Sequence, residues 1–127
     1  MPYFDHAATT PINPVVLEAM VSTMGDVYGN PSSIHQFGRK AHEKLEEARQ
    51  LIASTLQVRA NEIVFTSGGT EGDNMAIIGT AKARQSEGKH IITTNVEHPA
   101  VLASMAYLEN EGFEVTYLPV DSYGQIS

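Results

Sequence analysis

His90-Ile91-Ile92-Thr93-Thr94-Asn95 and Glu114-Val115-Thr116-Tyr117-Leu118-Pro119-Val120 flank the stretch Pro99-Ala100-Val101-Leu102-Ala103-Ser104-Met105-Ala106-Tyr107-Leu108-Glu109-Asn110-Glu111. Both flanking runs are short and carry the β-branched and aromatic residues that favour strands. The middle stretch repeats Leu102, Met105 and Leu108 at helical spacing. Pro99 suits its first turn and Gly112 its stop. The reading is strand, helix, strand, and a helical connection between strands predicts parallel pairing with a right-handed crossover.

The same alternation extends upstream. Ile63-Val64-Phe65 reads as a further strand, followed by a helix from Glu71 to about Gln85 with Met75, Ile78 and Ala81 on one side and Gly88 as its stop. Before it, Phe37, Ala41, Leu45, Ala48, Ile52 and Leu56 form one apolar stripe at helical period, with Lys40, Glu43, Lys44, Glu46, Glu47 and Arg49 on the other faces. Asn13 and Pro14 read as an N-cap and first-turn proline of a shorter helix carrying Val16, Met20 and Met24 and ending near Gly25. Residues 5–14 and 29–33 are turn clusters. The expected class is α/β, a mainly parallel sheet flanked by helices. Three parallel strands leave open edges. The chain runs out at Gly124-Gln125-Ile126-Ser127, with Ser127 where a next helix would be capped. The pattern reads as the front part of a longer α/β protein, and the chain by itself is expected to aggregate, oligomerise or swap elements.

The 127 residues suit one domain. Lys plus Arg is 8 against 15 Asp plus Glu, a formal charge of −7, which argues against a generic nucleic-acid or anionic-membrane binder. The absence of cysteine excludes a disulfide scaffold, a Cys-ligated metal or Fe–S site and a cysteine nucleophile within this chain. It fits a cytoplasmic setting. Met1 to His6 shows no secretory signal, and the weakly polar run from Pro99 to Leu108 is far short of the roughly 20 residues a spanning helix needs.

Two segments can carry chemistry. Phe65-Thr66-Ser67-Gly68-Gly69-Thr70-Glu71 joins a strand to a helix N-terminus through two glycines. Backbone N–H groups and the helix dipole favour an anion there, a phosphate above all, and Thr70 adds a hydroxyl. Neither the Gly-Lys-Ser/Thr of a P-loop nor a dinucleotide Gly-x-Gly-x-x-Gly is present. The turn suits equally an ordinary strand–helix junction with Thr70 as N-cap and Glu71 and Asp73 complementing the dipole. The second segment is Asn95-Val96-Glu97-His98-Pro99, at the carboxyl end of a strand, where α/β sheets bind ligands. His98 there either stacks on a flat ring and moves protons or caps the helix. The histidines lack metal-ligand spacing, so no metal site is expected. Lys40, Lys44, Lys82 and Lys89 read as solvated surface residues.

Four motifs then occur in order: Tyr3-Phe4-Asp5-His6-Ala7-Ala8-Thr9-Thr10-Pro11, Gly29-Asn30-Pro31-Ser32-Ser33, Phe65 to Glu71, and Glu97-His98-Pro99-Ala100-Val101. Together with Gly112 to Asp121 they resemble the NifS/IscS-type cysteine desulfurases, class V aminotransferase relatives that use pyridoxal 5'-phosphate. The resemblance spans the chain and supports the anion reading. It implies the front part of the large domain of a fold-type I PLP-dependent transferase. Residues 14–127 would form an incomplete part of that cofactor-binding domain, and residues 1–13 would reach toward the small domain and substrate pocket. It implies that Gly69 and Thr70 bind the cofactor phosphate, that His98 stacks on the pyridine ring and acts in catalysis, and that Ala7 and Ala8 lie near substrate.

The Schiff-base lysine, the pyridine-pairing Asp, the carboxylate-binding Arg and the sulfur-accepting Cys of such enzymes would all lie downstream. The parent so implied is a homodimer that converts L-cysteine to L-alanine and passes sulfur as a persulfide to an acceptor protein, for Fe–S cluster or thio-cofactor synthesis. The chain alone would be inactive. The alternatives are another class V enzyme (a selenocysteine lyase or an aminotransferase), or a non-catalytic remnant that binds a phosphorylated ligand or a partner.

Overall fold

A computed structural model describes residues 2–126. The chain divides into two compact units between Val64 and Phe65.

In the first unit, residues 3–10 form a turn in which the Asp5 carbonyl accepts the amides of Ala8 (3.1 Å) and Thr9 (3.3 Å). Helix α1, Pro14–Asp26, starts as the sequence requires: Pro14 occupies the first turn, and the Asn13 side chain accepts the Val15 amide at 2.9 Å. No residue of α1 is buried; Val15 and Met24 are each 74 % exposed. Helix α2, Gln36–Leu56, is capped by His35, whose Nδ1 accepts the Gly38 amide at 3.3 Å. Its apolar stripe is largely uncovered: Ala41 is buried and Leu45 half-buried, whereas Phe37, Ala48, Ile52 and Leu56 stay exposed; Ala53, beside the stripe, is buried. A 3₁₀ turn, Ala60–Glu62, follows.

Ile63-Val64-Phe65 is not a strand. Its start is extended, with Ile63 at φ −94° and ψ 124°, but a strand needs a neighbouring ladder and none stands beside it among the described residues. The Ile63 carbonyl is instead taken by the Arg49 guanidinium of α2, which also pairs with Glu46 at 3.0 Å.

The second unit holds α3 (Gly69–Ala83), β1 (His90–Thr94), α4 (Pro99–Asn110) and β2 (Glu114–Leu118). The strands pair in parallel from His90 opposite Glu114 to Thr94 opposite Leu118, so the strand–helix–strand reading is correct and its sheet has two strands rather than three. Helix α3 ends at Ala83, five residues before Gly88, because the chain turns at once, with the Glu87 amide on the Arg84 carbonyl at 2.8 Å. Gly112 does stop α4. It takes φ +85°, and the amides of Gly112 and Phe113 bond the Glu109 and Leu108 carbonyls, each at 3.0 Å. This is a Schellman ending, and its apolar pair, Leu108 and Phe113, enters the core beside Met105 and Ala100. Buried Ser104 returns its hydroxyl to the Ala100 carbonyl at 2.9 Å, so it costs the core no unpaired group.

Lys82 ties the last turns of α3 and α4 together, donating to the Tyr107 hydroxyl at 2.5 Å and pairing with Glu111 at 3.1 Å. The Tyr107 bond, then Glu111, raises its pKa and holds it protonated, which agrees with a surface lysine rather than a nucleophile. The expected capping role of Ser127 lies outside the described residues.

Candidate active site

Gly68 is the N-cap of α3, with an extended backbone, and its carbonyl accepts the Gly72 amide at 3.1 Å. The helix therefore begins before Thr70, which is not the N-cap but its second residue. The amides of Gly69 and Thr70 belong to the first turn, which the helix itself leaves unbonded, and no side chain takes them among the described residues. A Cβ built on Gly68 or Gly69 would meet no atom within 4 Å. Neither glycine is needed by its dihedrals or by packing, and the space beside them at the helix end is open. The Thr70 hydroxyl is also free among the described residues, and its carbonyl accepts Asn74 Nδ2 at 2.7 Å. Open amides, a helix N-terminus, a hydroxyl and unfilled space together fit a phosphate.

Glu71 does more than complement the dipole. Its Oε2 accepts the Ser67 amide at 2.6 Å and the Ser67 hydroxyl at 2.7 Å. These two bonds, the amide first, hold the Glu71 carboxyl below the usual glutamate range. A carboxyl whose folded pKa is depressed contributes stability above its unfolded pKa and loses it as pH falls through the folded one. A carbon-13 titration of the Glu71 carboxyl is therefore expected to give a midpoint below that of a glutamate in a short peptide. A midpoint at or above the peptide value would show that the Ser67 bonds do not form in solution.

His98 caps α4. Pro99 pushes the preceding residue out of the helical region, and His98 sits at φ −57°, ψ 145° with Nδ1 accepting the Ala100 amide at 3.1 Å. An amide can only donate, so Nδ1 keeps its lone pair and the neutral ring carries its proton on Nε2. The capping role and the exposed ring coexist: one nitrogen serves the helix and the other faces outward as a donor. Thr94 donates to Glu97 at 2.8 Å and fixes the turn that carries the ring.

Helices α3 and α4 pack on one another with their last turns joined through Lys82. The N-terminus of α3 bears Gly69 and Thr70, and that of α4 bears His98. The sequence places the two loops at one end of a sheet through neighbouring strands; the strand before Gly68 does not form, and α3 and α4 are neighbours as packed helices. Ala7 and Ala8 lie in the other unit, in the exposed Asp5–Thr9 turn. Among the described residues no group of three or more His, Cys, Asp or Glu is placed to hold a metal. The Ser67–Glu71 pair went unread in the sequence, although a serine just before a helix and an acid in its first turn are the signal for it.

A family model described as aminotransferase class-V matches residues 2–127. Among curated proteins, the chain is 55 % identical over 122 residues to a cysteine desulfurase IscS of Dictyoglomus turgidum, covering 96 % of this chain and 31 % of that protein. It is 53 % identical over 125 residues to a cysteine desulfurase IscS of Methanosarcina thermophila, covering 98 % and 31 %. Among solved structures, a NifS-like protein superposes with a TM-score of 0.82 at 42 % identity, over 94 % of this chain and 33 % of that one. SspA in complex with cysteine gives 0.80 at 45 % identity, over 93 % and 34 %. The chain thus spans about a third of the length of the relatives it matches. The helices and parallel strand pair are those of the α/β fold of these NifS-like enzymes, and with the match running over 2–127 the chain belongs to the class V aminotransferase family.

Proposed function

We propose that the chain is the front, cofactor-phosphate-binding portion of a pyridoxal-phosphate-dependent cysteine desulfurase, and that by itself it does not turn over substrate. The observation that carries the reading is the open N-terminus of α3, with the amides of Gly69 and Thr70 unbonded and open space at Gly68 and Gly69. Class V membership and relatives named cysteine desulfurase support it.

In this reading the amides of Gly69 and Thr70, with the Thr70 hydroxyl, hold the phosphate. His98 offers its ring face to the pyridine and a proton held at Nε2, while Nδ1 stays committed to the Ala100 amide. Ala7 and Ala8 border the substrate. Residues 1–13 belong toward a small domain and residues 14–127 to the large one. Bound pyridoxal phosphate supplies an electron sink for the bonds at the substrate's α-carbon. The lysine that fixes it, and the cysteine that receives sulfur, come from elsewhere in the polypeptide. The reading extends to a cytoplasmic homodimer that converts L-cysteine to L-alanine and delivers sulfur to an acceptor protein.

Pyridoxal phosphate added to the 127-residue chain is expected to bind, to be displaced by inorganic phosphate, and to leave no stoichiometric mass adduct after borohydride reduction. Failure of phosphate to compete would remove the helix-end site. A single reduced adduct on Lys40, Lys44, Lys82 or Lys89 would overturn the assignment of the anchoring lysine to another segment.

A further inference from the structure

The Ser67–Glu71 contact lies inside the proposed phosphate site, yet it puts a carboxylate there. Electrostatics alone makes that a fault, because a negative group near a helix N-terminus competes with an anionic ligand. The geometry gives the carboxylate another task. Ser67 and Glu71 are four residues apart, and Gly68 and Gly69 lie between them. Glycine has the most backbone freedom to lose, and neither glycine has a side chain through which a neighbour could fix it. The two bonds from Ser67 to Glu71 Oε2, 2.6 and 2.7 Å long, close a ring over this glycine pair. Thr66 adds a third restraint by donating to the Gly68 carbonyl at 3.1 Å. The loop is thereby ordered before any ligand arrives, and ordering that precedes binding is not charged against affinity. The same contact turns the Ser67 hydroxyl toward Glu71, leaving Thr70 as the hydroxyl of the site.

We propose that Glu71 is a positioning residue for the phosphate: it latches Ser67 and so sets the amides of Gly68, Gly69 and Thr70 for the anion, without touching it. The proposal rests on the phosphate reading above and predicts an effect opposite in sign to charge. Removing a carboxylate beside an anion tightens binding if charge decides, and weakens it if the latch decides.

The test titrates inorganic phosphate into the full chain and follows the nitrogen-15 amide shifts of Gly68, Gly69 and Thr70. Glu71→Ala, which removes both charge and latch, is expected to bind about tenfold more weakly, because the loop must then be ordered on binding. Glu71→Gln keeps an acceptor for Ser67 and is expected to bind at least as tightly as the native chain. Ser67→Ala removes one of the two bonds, leaves the charge in place and is expected to fall between; it also serves if Glu71→Ala frays α3. Equal or tighter binding by Glu71→Ala overturns the latch, as does equal weakening in Glu71→Gln. If the native chain shows no phosphate-dependent shift at these amides, the phosphate reading itself fails and the latch with it.

Discussion

Leu108→Ala is expected to destabilise the second unit by about 2–5 kcal/mol, the range for emptying a fully buried leucine site. Leu108 has no exposed surface, and it is the large apolar side chain buried to that degree among the described residues. Its backbone is also spoken for: its carbonyl accepts the Phe113 amide at 3.0 Å in the turn that sends the chain into β2. A parallel pair of five-residue strands is not stable without a helix packed on it. The core that holds α4 to the pair is small: Ala100, Met105, Leu108 and Phe113. Removing one of these four takes a large share of the apolar burial. Urea unfolding followed by circular dichroism, with hydrogen exchange at β1 and β2, would measure it. Ile92→Ala, at a site 60 % exposed, is the control and should change stability by no more than about 0.5 kcal/mol. Equal shifts for the two variants would mean that α4 is not packed as described.

The elements that were legible in the sequence are those whose signal is local. Asn13-Pro14, His98-Pro99 and Gly112 mark helix ends through chemistry within a few residues, and each stands where that chemistry requires. The strand expected at Ile63-Val64-Phe65 was not legible, because β character is completed by a partner strand, and a run of three residues says nothing about whether one is present. The glycines of the Gly68-Gly69 turn were noticed for the right reason only in part. Their dihedrals and packing tolerate a side chain, and it is the unbonded amides of Gly69 and Thr70 that point to a ligand. Thr70 shows the same limit: a hydroxyl at a helix start reads as a cap, but the Gly68 carbonyl begins the helix two residues earlier. The spacing of Val16, Met20 and Met24 predicts the apolar stripe of α1, while the fact that no residue of α1 is buried depends on the other elements of its unit, which no periodicity reports.

Gly38→Ala is expected to cost stability where helix propensity predicts a gain. In an exposed helix interior, exchanging glycine for alanine is worth about 1 kcal/mol in favour of alanine. Gly38 lies in the first turn of α2 and is buried. A Cβ there would stand 2.2 Å from the Ser33 carbonyl oxygen and 2.7 Å from that of Asn30. Both obstacles are backbone, so no rotamer change relieves them. The loop has little slack, because the Asn30 carbonyl already accepts the Ser33 amide at 2.9 Å, and Asn30 Oδ1 accepts the Ser32 amide at 2.9 Å. The contact is reciprocal: a Cβ on Gly29 would stand 2.2 Å from the Phe37 carbonyl oxygen. The loop Gly29–Ser33 is thus seated backbone to backbone on the start of α2, and glycine is required on both sides of the seam. Overpacking of this kind costs about 1–3 kcal/mol, enough to reverse the propensity gain. Gly79→Ala is the matched control, since Gly79 lies within α3 and its Cβ would meet nothing within 4 Å. Thermal unfolding should show Gly79→Ala at or above the native chain and Gly38→Ala clearly below it. A stabilised Gly38→Ala would mean that the loop seats elsewhere and that the Gly29–Ser33 motif is not held by the start of α2.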